Sequence, residues 1–310
     1  MQNQFSRTQL LMGKAAIDTL MGSRVAVFGV GGVGGYVVEA LARSGVGELD
    51  IIDDDRVCLT NVNRQVIATL STVGKHKVDV CEERVHDINR RCIVHKYQMF
   101  YLPETADAID ISQFDYVVDC IDTVKAKLDL IKRCHDQKVP IISCMGAANK
   151  MDATAFQVTD INKTKMDPLA KVIRKKLRKM NIHKLKVVYS EEEPLRPIDD
   201  PNISCRFHCI CPNKDMRKCT DRRDIPASNV FVPAAAGLIC GGEVIKDLVR
   251  IAGTWRLTPE MIAENPEAKA AAEKAAAKAE AHQEKYKAIA LAKKNGTWED
   301  DTVRMALPFD

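Results

Sequence analysis

A chain of 310 residues with 46% hydrophobic residues and a net charge of +4 can bury a substantial core and has the balance of an ordinary globular protein. No apolar run reaches bilayer length, and the start MQNQFSRTQLLMGKAAIDTL lacks the basic, apolar and cleavage regions of a secretory leader. These features argue against an integral helical membrane protein and predict a cytoplasmic one, whose eleven cysteines are mostly reduced thiols.

In chain order, RVAVF at 24–28 reads as a buried strand, and GVGGVG at 29–34 as a glycine turn opening a helix. LDIID at 49–53 follows as a second strand. CIVHKY, YVVDC and VPIISC are further Val- and Ile-rich strand candidates, and Lys75–Asn89 and Thr123–Gln137 lie between strands as crossover helices. This alternation predicts an α/β fold with a Rossmann-like, mostly parallel sheet, helices on both faces and ligands at the carboxyl ends of the strands. DATAFQVTD and LKVVYS add two strands. Between them DPLAKVIRKKLRKMNI reads as a helix, with Asp167 as its cap and Pro168 at its first position. Residues 191–227 read as a long loop, and the Ala- and Gly-rich stretch 234–251 as a closely packed helix. A smaller C-terminal part ends in an Ala/Lys/Glu-rich helix from Pro266 to about Gly296, poor in large apolar residues and expected to be a solvated appendage. The predicted units are 1–160, 161–255 and 256–310.

Gly29, Gly31, Gly32 and Gly34 suit close approach of backbone N–H groups to phosphate, and Asp53 has the spacing of a ribose-binding carboxylate. Taken alone, that pattern fits NAD as well as any other nucleotide. Asn61 and Arg64 after the second strand, Lys77 opening a helix, and Asp119 and Asp122 ending another strand tip the balance toward ATP and Mg²⁺. Each has a plainer alternative, as a surface ion pair, a solvated lysine or a helix cap.

The succession G-x-G-G-x-G, I-D-x-D, T-N-x-x-R-Q, V-G-x-x-K and V-x-D-x-x-D over about 5–160 resembles the adenylation domain of ubiquitin-activating-type enzymes. These include the bacterial enzymes that adenylate sulfur-carrier proteins. The resemblance implies that the glycines contact ATP phosphate and that Asp53 binds ribose. It also implies that Asn61, Arg64 and Lys77 hold the phosphates and that Asp122 holds Mg²⁺. FSRTQLLMG resembles the N-terminal segment whose arginine, here Arg7, reaches a partner subunit's ATP, which implies a homodimer.

The second half departs from the sulfur-carrier branch, many of whose members have paired C-x-x-C zinc motifs that this chain lacks. ATAFQVTDINKTKMDPLAKVIRKKLRK instead resembles the tRNA threonylcarbamoyladenosine dehydratases, which use ATP to activate the threonyl carboxylate of a modified adenosine. The basic helix offers Lys171, Arg174, Lys175, Lys176, Arg178 and Lys179 to RNA phosphates, though a merely solubilising role fits the same charges. Cys205, Cys209, Cys211 and Cys219 have the number for a tetrahedral Zn²⁺ site, with His208 spare, but the C-x-C step is less typical of zinc, and they also suit free thiols on a loop or a catalytic or redox role. Adenylation of the C-terminal glycine of a ubiquitin-like sulfur carrier is the alternative activity, and a sulfur-transfer partner protein stays open.

Overall fold

The structure is a computed structural model that describes residues 2–198, 200–202 and 226–305. The cysteines of the zinc expectation, Cys205, Cys209, Cys211 and Cys219, lie outside the described residues.

The strands form one eight-stranded sheet in the order β6-β7-β5-β4-β1-β2-β3-β8. They are β1 (Arg24–Phe28), β2 (Glu48–Ile52), β3 (Ile93–Met99), β4 (Tyr116–Asp119), β5 (Ile141–Cys144), β6 (Phe156–Asp160), β7 (Lys186–Ser190) and β8 (Val303–Met305). Every pairing is parallel except β6 with β7. The central strands are buried on both faces, which is why their sequences run as near-continuous apolar residues rather than alternating. Helices α3 (Gly34–Ser44), α4 (Lys77–Ile88) and α7 (Phe231–Ile251) close one hydrophobic core. On the other face, α5 (Val124–Gln137) and α6 (Pro168–Lys179) close two more. The expected α/β architecture is the observed one.

Small residues let α7 approach α3 closely. A Cβ at Gly237 would lie 2.3 Å from the Val33 carbonyl oxygen, and one at Gly241 would lie 2.7 Å from Ala40 Cβ. This contact also brings the start of α7 over the glycine loop, with Pro233 against Gly32.

The N-terminal segment folds into α1 (Ser6–Met12) and α2 (Lys14–Met21), and the tail into α8 (Pro259–Glu264), α9 (Pro266–Asn295) and β8. Helix α9 is no solvated appendage. It lies on α2 through a stripe of small residues, with Ala268, Ala275 and Ala279 buried and Lys278 Cβ only 2.6 Å from where a Gly22 side chain would begin. Polar contacts complete the seam: His282 faces the Arg91 carbonyl at 3.0 Å, and Lys285 pairs with Glu48 at 2.6 Å. Small-on-small packing needs few large apolar residues, so the composition of α9 understates its burial.

Candidate adenylate-forming site

Five strand ends converge on one cavity of about 650 Å³, within the range of small-molecule sites. The turn after β1 sets its floor. Gly29 has a φ of +85°, and a Cβ there would meet the Cys120 carbonyl oxygen at 3.0 Å. A Cβ at Gly34 would lie 1.7 Å from the Gly29 oxygen, so Gly34 is required by the turn itself. Gly29, Gly31 and Gly32 line the cavity, whereas Gly34 supports the loop from below.

The end of β2 contributes Asp53, Asp54 and Asp55, whose ligand oxygens lie within 4.8 Å of one another. Asp53 accepts from the backbone N–H groups of Val30 and Asp55, which fixes the glycine loop to the strand end. Lys77, 4% exposed, lies 2.7 Å from Asp55 and 3.5 Å from Asp53. Burial opposes its charge, but Asp53 and Asp55 outweigh that and hold the ammonium above the ordinary lysine range. Burial, reinforced by Asp55 and Asp53, pushes Asp54 up to about 7. One buried cation thus faces three carboxylates.

Asn61, Arg64 and Asp122 line the same cavity as Gly29, Gly31, Gly32, Asp53 and Lys77, whereas Gly34, Asp119 and Arg7 do not. The Asn61 side chain also accepts from the Cys58 N–H at 3.0 Å, closing a tight turn. Arg64 donates to the Thr60 carbonyl and to Asn63 Oδ1, both at 2.8 Å. Asp119 and Asp122, equivalent in the sequence pattern, part company. Asp119 is fully buried and bound by Lys127 at 2.7 Å and Ser143 at 2.5 Å, while Asp122 faces the cavity. Arg7, on α1, is exposed and does not line the cavity of its own chain.

Several further residues shape the cavity. Gln65 is 7% exposed and its Oε1 has no hydrogen-bond partner, an orphaned acceptor facing a polar cavity. Phe28, Ile52, Met99 and Tyr101 form an apolar end suited to a planar base. Met145–Lys150 after β5 and Asp167–Leu169 at the start of α6 extend the cavity away from the glycine loop. The Asp167 carboxylate caps α6 through the Ala170 N–H at 2.8 Å, as the sequence predicts. The basic residues of α6 point elsewhere: Lys171, Lys175, Lys176, Arg178 and Lys179 are exposed, while Arg174 folds back onto Thr164.

Residues 5–290 match the model of the ThiF family. The chain belongs to the ThiF family. Its similarity to one branch of that family covers most of the chain. It is 47% identical over 251 residues to the tRNA threonylcarbamoyladenosine dehydratase of Bacillus subtilis, covering 81% of this chain and 96% of the relative. The structure of the Escherichia coli tRNA N6-threonylcarbamoyladenosine dehydratase in complex with AMP aligns at a TM-score of 0.70 and 31% identity, covering 81% of this chain and 95% of that one. Against the Escherichia coli molybdopterin-synthase adenylyltransferase the identity is 34%, over 46% of this chain and 57% of the relative. The match to the Bacillus subtilis relative thus covers 81% of this chain, against 46% for the adenylyltransferase.

Proposed function

We propose that the chain is an ATP-dependent tRNA threonylcarbamoyladenosine dehydratase acting in this cavity. The observation that carries the reading is the cation-lined cavity of a ThiF-type sheet in a chain that covers 96% of a relative of that name. The threonyl carboxylate attacks the α-phosphorus of ATP and pyrophosphate leaves. The carbamoyl group then attacks the acyl carbon of the mixed anhydride, a five-membered ring closes, and AMP carries off the carboxylate oxygen. The net change in the nucleoside is loss of one water.

Joining two anions needs positive charge at the phosphates. Arg64 and Lys77 supply it, the glycine-loop N–H groups hold phosphate oxygens, Asp53 binds ribose, and the apolar wall at Phe28 and Tyr101 takes adenine. The orphaned Gln65 acceptor and the hard carboxylate oxygens fit a bound nucleotide and divalent ion. Asp122 would hold Mg²⁺, which lowers the charge of the triphosphate when bound. Lys171, Lys175, Lys176, Arg178 and Lys179 meet the tRNA backbone; Arg174 is spent on Thr164. A homodimer in which Arg7 completes the partner's site accounts for an exposed arginine flanked by Leu10 and Leu11, which are 88% and 64% exposed.

The test is incubation of threonylcarbamoyladenosine-containing tRNA with the protein and ATP, followed by mass spectrometry of the nucleosides. Loss of the mass of one water, with AMP and pyrophosphate formed, is expected. Pyrophosphate exchange that needs a Gly-Gly-ending carrier protein and leaves tRNA unchanged would reassign the chain to the sulfur-carrier branch.

A further inference from the structure

Asn149, just past β5, has a φ of +61°, a left-handed conformation that asparagine tolerates better than most side chains. That conformation lets one residue hold two other segments at once. Its N–H donates to the Ala227 carbonyl at 2.8 Å and its Oδ1 accepts from the Ala227 N–H at 2.7 Å, a two-bond clasp. Its own carbonyl accepts from the Leu195 N–H at 2.7 Å. The next residue adds a tie, since Asn229 Nδ2 donates to the Lys150 carbonyl at 2.8 Å while Asn229 Oδ1 caps α7 through the Val232 N–H.

The clasped segment touches the phosphate side of the cavity as well. Asn63 Nδ2 donates to the Ser228 carbonyl at 3.1 Å, and Asn63 Oδ1 accepts from Arg64 Nη1 at 2.8 Å. A continuous path therefore runs from Asn149 through Ala227 and Ser228 to Asn63 and the Arg64 guanidinium. We propose that Asn149 is a positioning residue: by clasping 226–229 to the end of β5 it fixes Asn63, and through Asn63 the place of Arg64 at the cavity wall. Asn149 itself lines the far part of the cavity, but this role runs through Asn63. Arg64 Nη1 also donates to the Thr60 carbonyl at 2.8 Å, a bond within its own turn that the clasp does not control.

The activity readout rests on the dehydratase reading; the nucleotide readout does not. Asn149→Gly keeps the left-handed backbone and deletes Oδ1, whereas Asn149→Asp keeps an acceptor there. A fall in kcat of about tenfold is expected for Asn149→Gly, the scale of a modest misplacement of a reacting group, with most of it recovered in Asn149→Asp. Asn63→Ala falls similarly, and the double variant Asn63→Ala/Asn149→Gly is no slower than the slower single, because both cut one path. Wild-type kcat in Asn149→Gly, or single losses that multiply in the double variant, overturns the proposal. If Asn149→Gly does not fold, Asn63→Ala decides alone, and a wild-type kcat there is fatal. Should wild-type protein fail to dehydrate tRNA, calorimetric ATP affinity gives the same comparison: weakening in Asn149→Gly with recovery in Asn149→Asp supports the path, and unchanged affinity overturns it.

Discussion

The ends of β2 and β4 both place carboxylates and a buried lysine at the carboxyl edge of the sheet, yet they balance charge in opposite ways. At β4, Asp119 and Lys127 are both fully buried and saturate each other. The ammonium donates to Asp119 at 2.7 Å, the Cys144 carbonyl at 2.9 Å and Ser143 at 3.1 Å, one acceptor per hydrogen. At β2, Lys77 answers three carboxylates on the rim of the cavity, with Asp55 mostly exposed. The first arrangement is closed and belongs to the fold. The second leaves charge unbalanced where a polyanion and its counter-ion would bind, which is the place for chemistry.

Substituting the two lysines separates the roles. Lys127→Met strands the buried Asp119 charge, and a loss of about 3–5 kcal/mol in chemical denaturation is expected. Adding Asp119→Asn recovers most of that stability, because the penalty is the unpaired ion. Lys77→Met has the inverse profile: its nearest partner, Asp55, reaches solvent, so stability falls less, while adenylation slows about 10²-fold, the effect of losing one preorganised cationic donor. If Lys77→Met unfolds the protein as readily as Lys127→Met, the distinction between a closed and an open charge site fails.

The same distinction runs along α6, with a smaller effect. Arg174 is held at 2.6 Å by the Thr164 hydroxyl and at 2.8 Å by its carbonyl, while Lys175 and Lys179 are exposed. Arg174→Ala should cost about 1–2 kcal/mol of stability by breaking these charged hydrogen bonds. Lys175→Ala/Lys179→Ala should leave stability unchanged and lower the slope of log tRNA affinity against log salt by about 1 per lost phosphate contact. A slope equal to that of the wild type would remove α6 from the RNA surface.

Sequence periodicity revealed the sheet because central strands must be uniformly apolar, and the glycine loop because its backbone leaves no room for a Cβ. It did not separate Asp119 from Asp122, since three residues of spacing at a strand end do not say which carboxylate turns back to Lys127. Nor did it separate Arg174 from its neighbours: Ala170, Ile173 and Leu177 mark the packed face of α6, but the Thr164 acceptors that hold Arg174 lie on the segment before the helix. Asn149 and Gln65 lie in or beside the motifs, but their roles depend on segments distant in the chain. Composition alone misreads the tail because packing through small residues buries one face of a helix without the large apolar residues that mark burial in a sequence.

The tail supplies the gentlest version of the comparison, a carboxylate closed by the fold yet near the surface. Burial opposes the Glu48 charge, but His282, His95 and Lys285 outweigh it and hold the carboxyl far below its ordinary 4.5. Hydrogen-bond geometry supports His95 at 3.3 Å and Lys285 at 2.6 Å, whereas His282 Nδ1 stands at 3.8 Å and contributes only through charge when protonated. A depressed carboxyl stabilises the fold at every pH above its unfolded value, and that stabilisation drains away as pH falls below about 4.5 toward the folded value. Glu48→Gln should therefore lower the thermal midpoint at neutral pH by about 2 °C, equivalent to about 1 kcal/mol for a chain of this size. The gap between variant and wild type should then narrow steadily as the medium is acidified below about pH 4.5, where the wild-type carboxylate begins to lose its advantage. A gap that stays constant into acid would mean that Glu48 acts by shape rather than charge. The seam between α9 and the sheet would then rest on its small-residue packing alone.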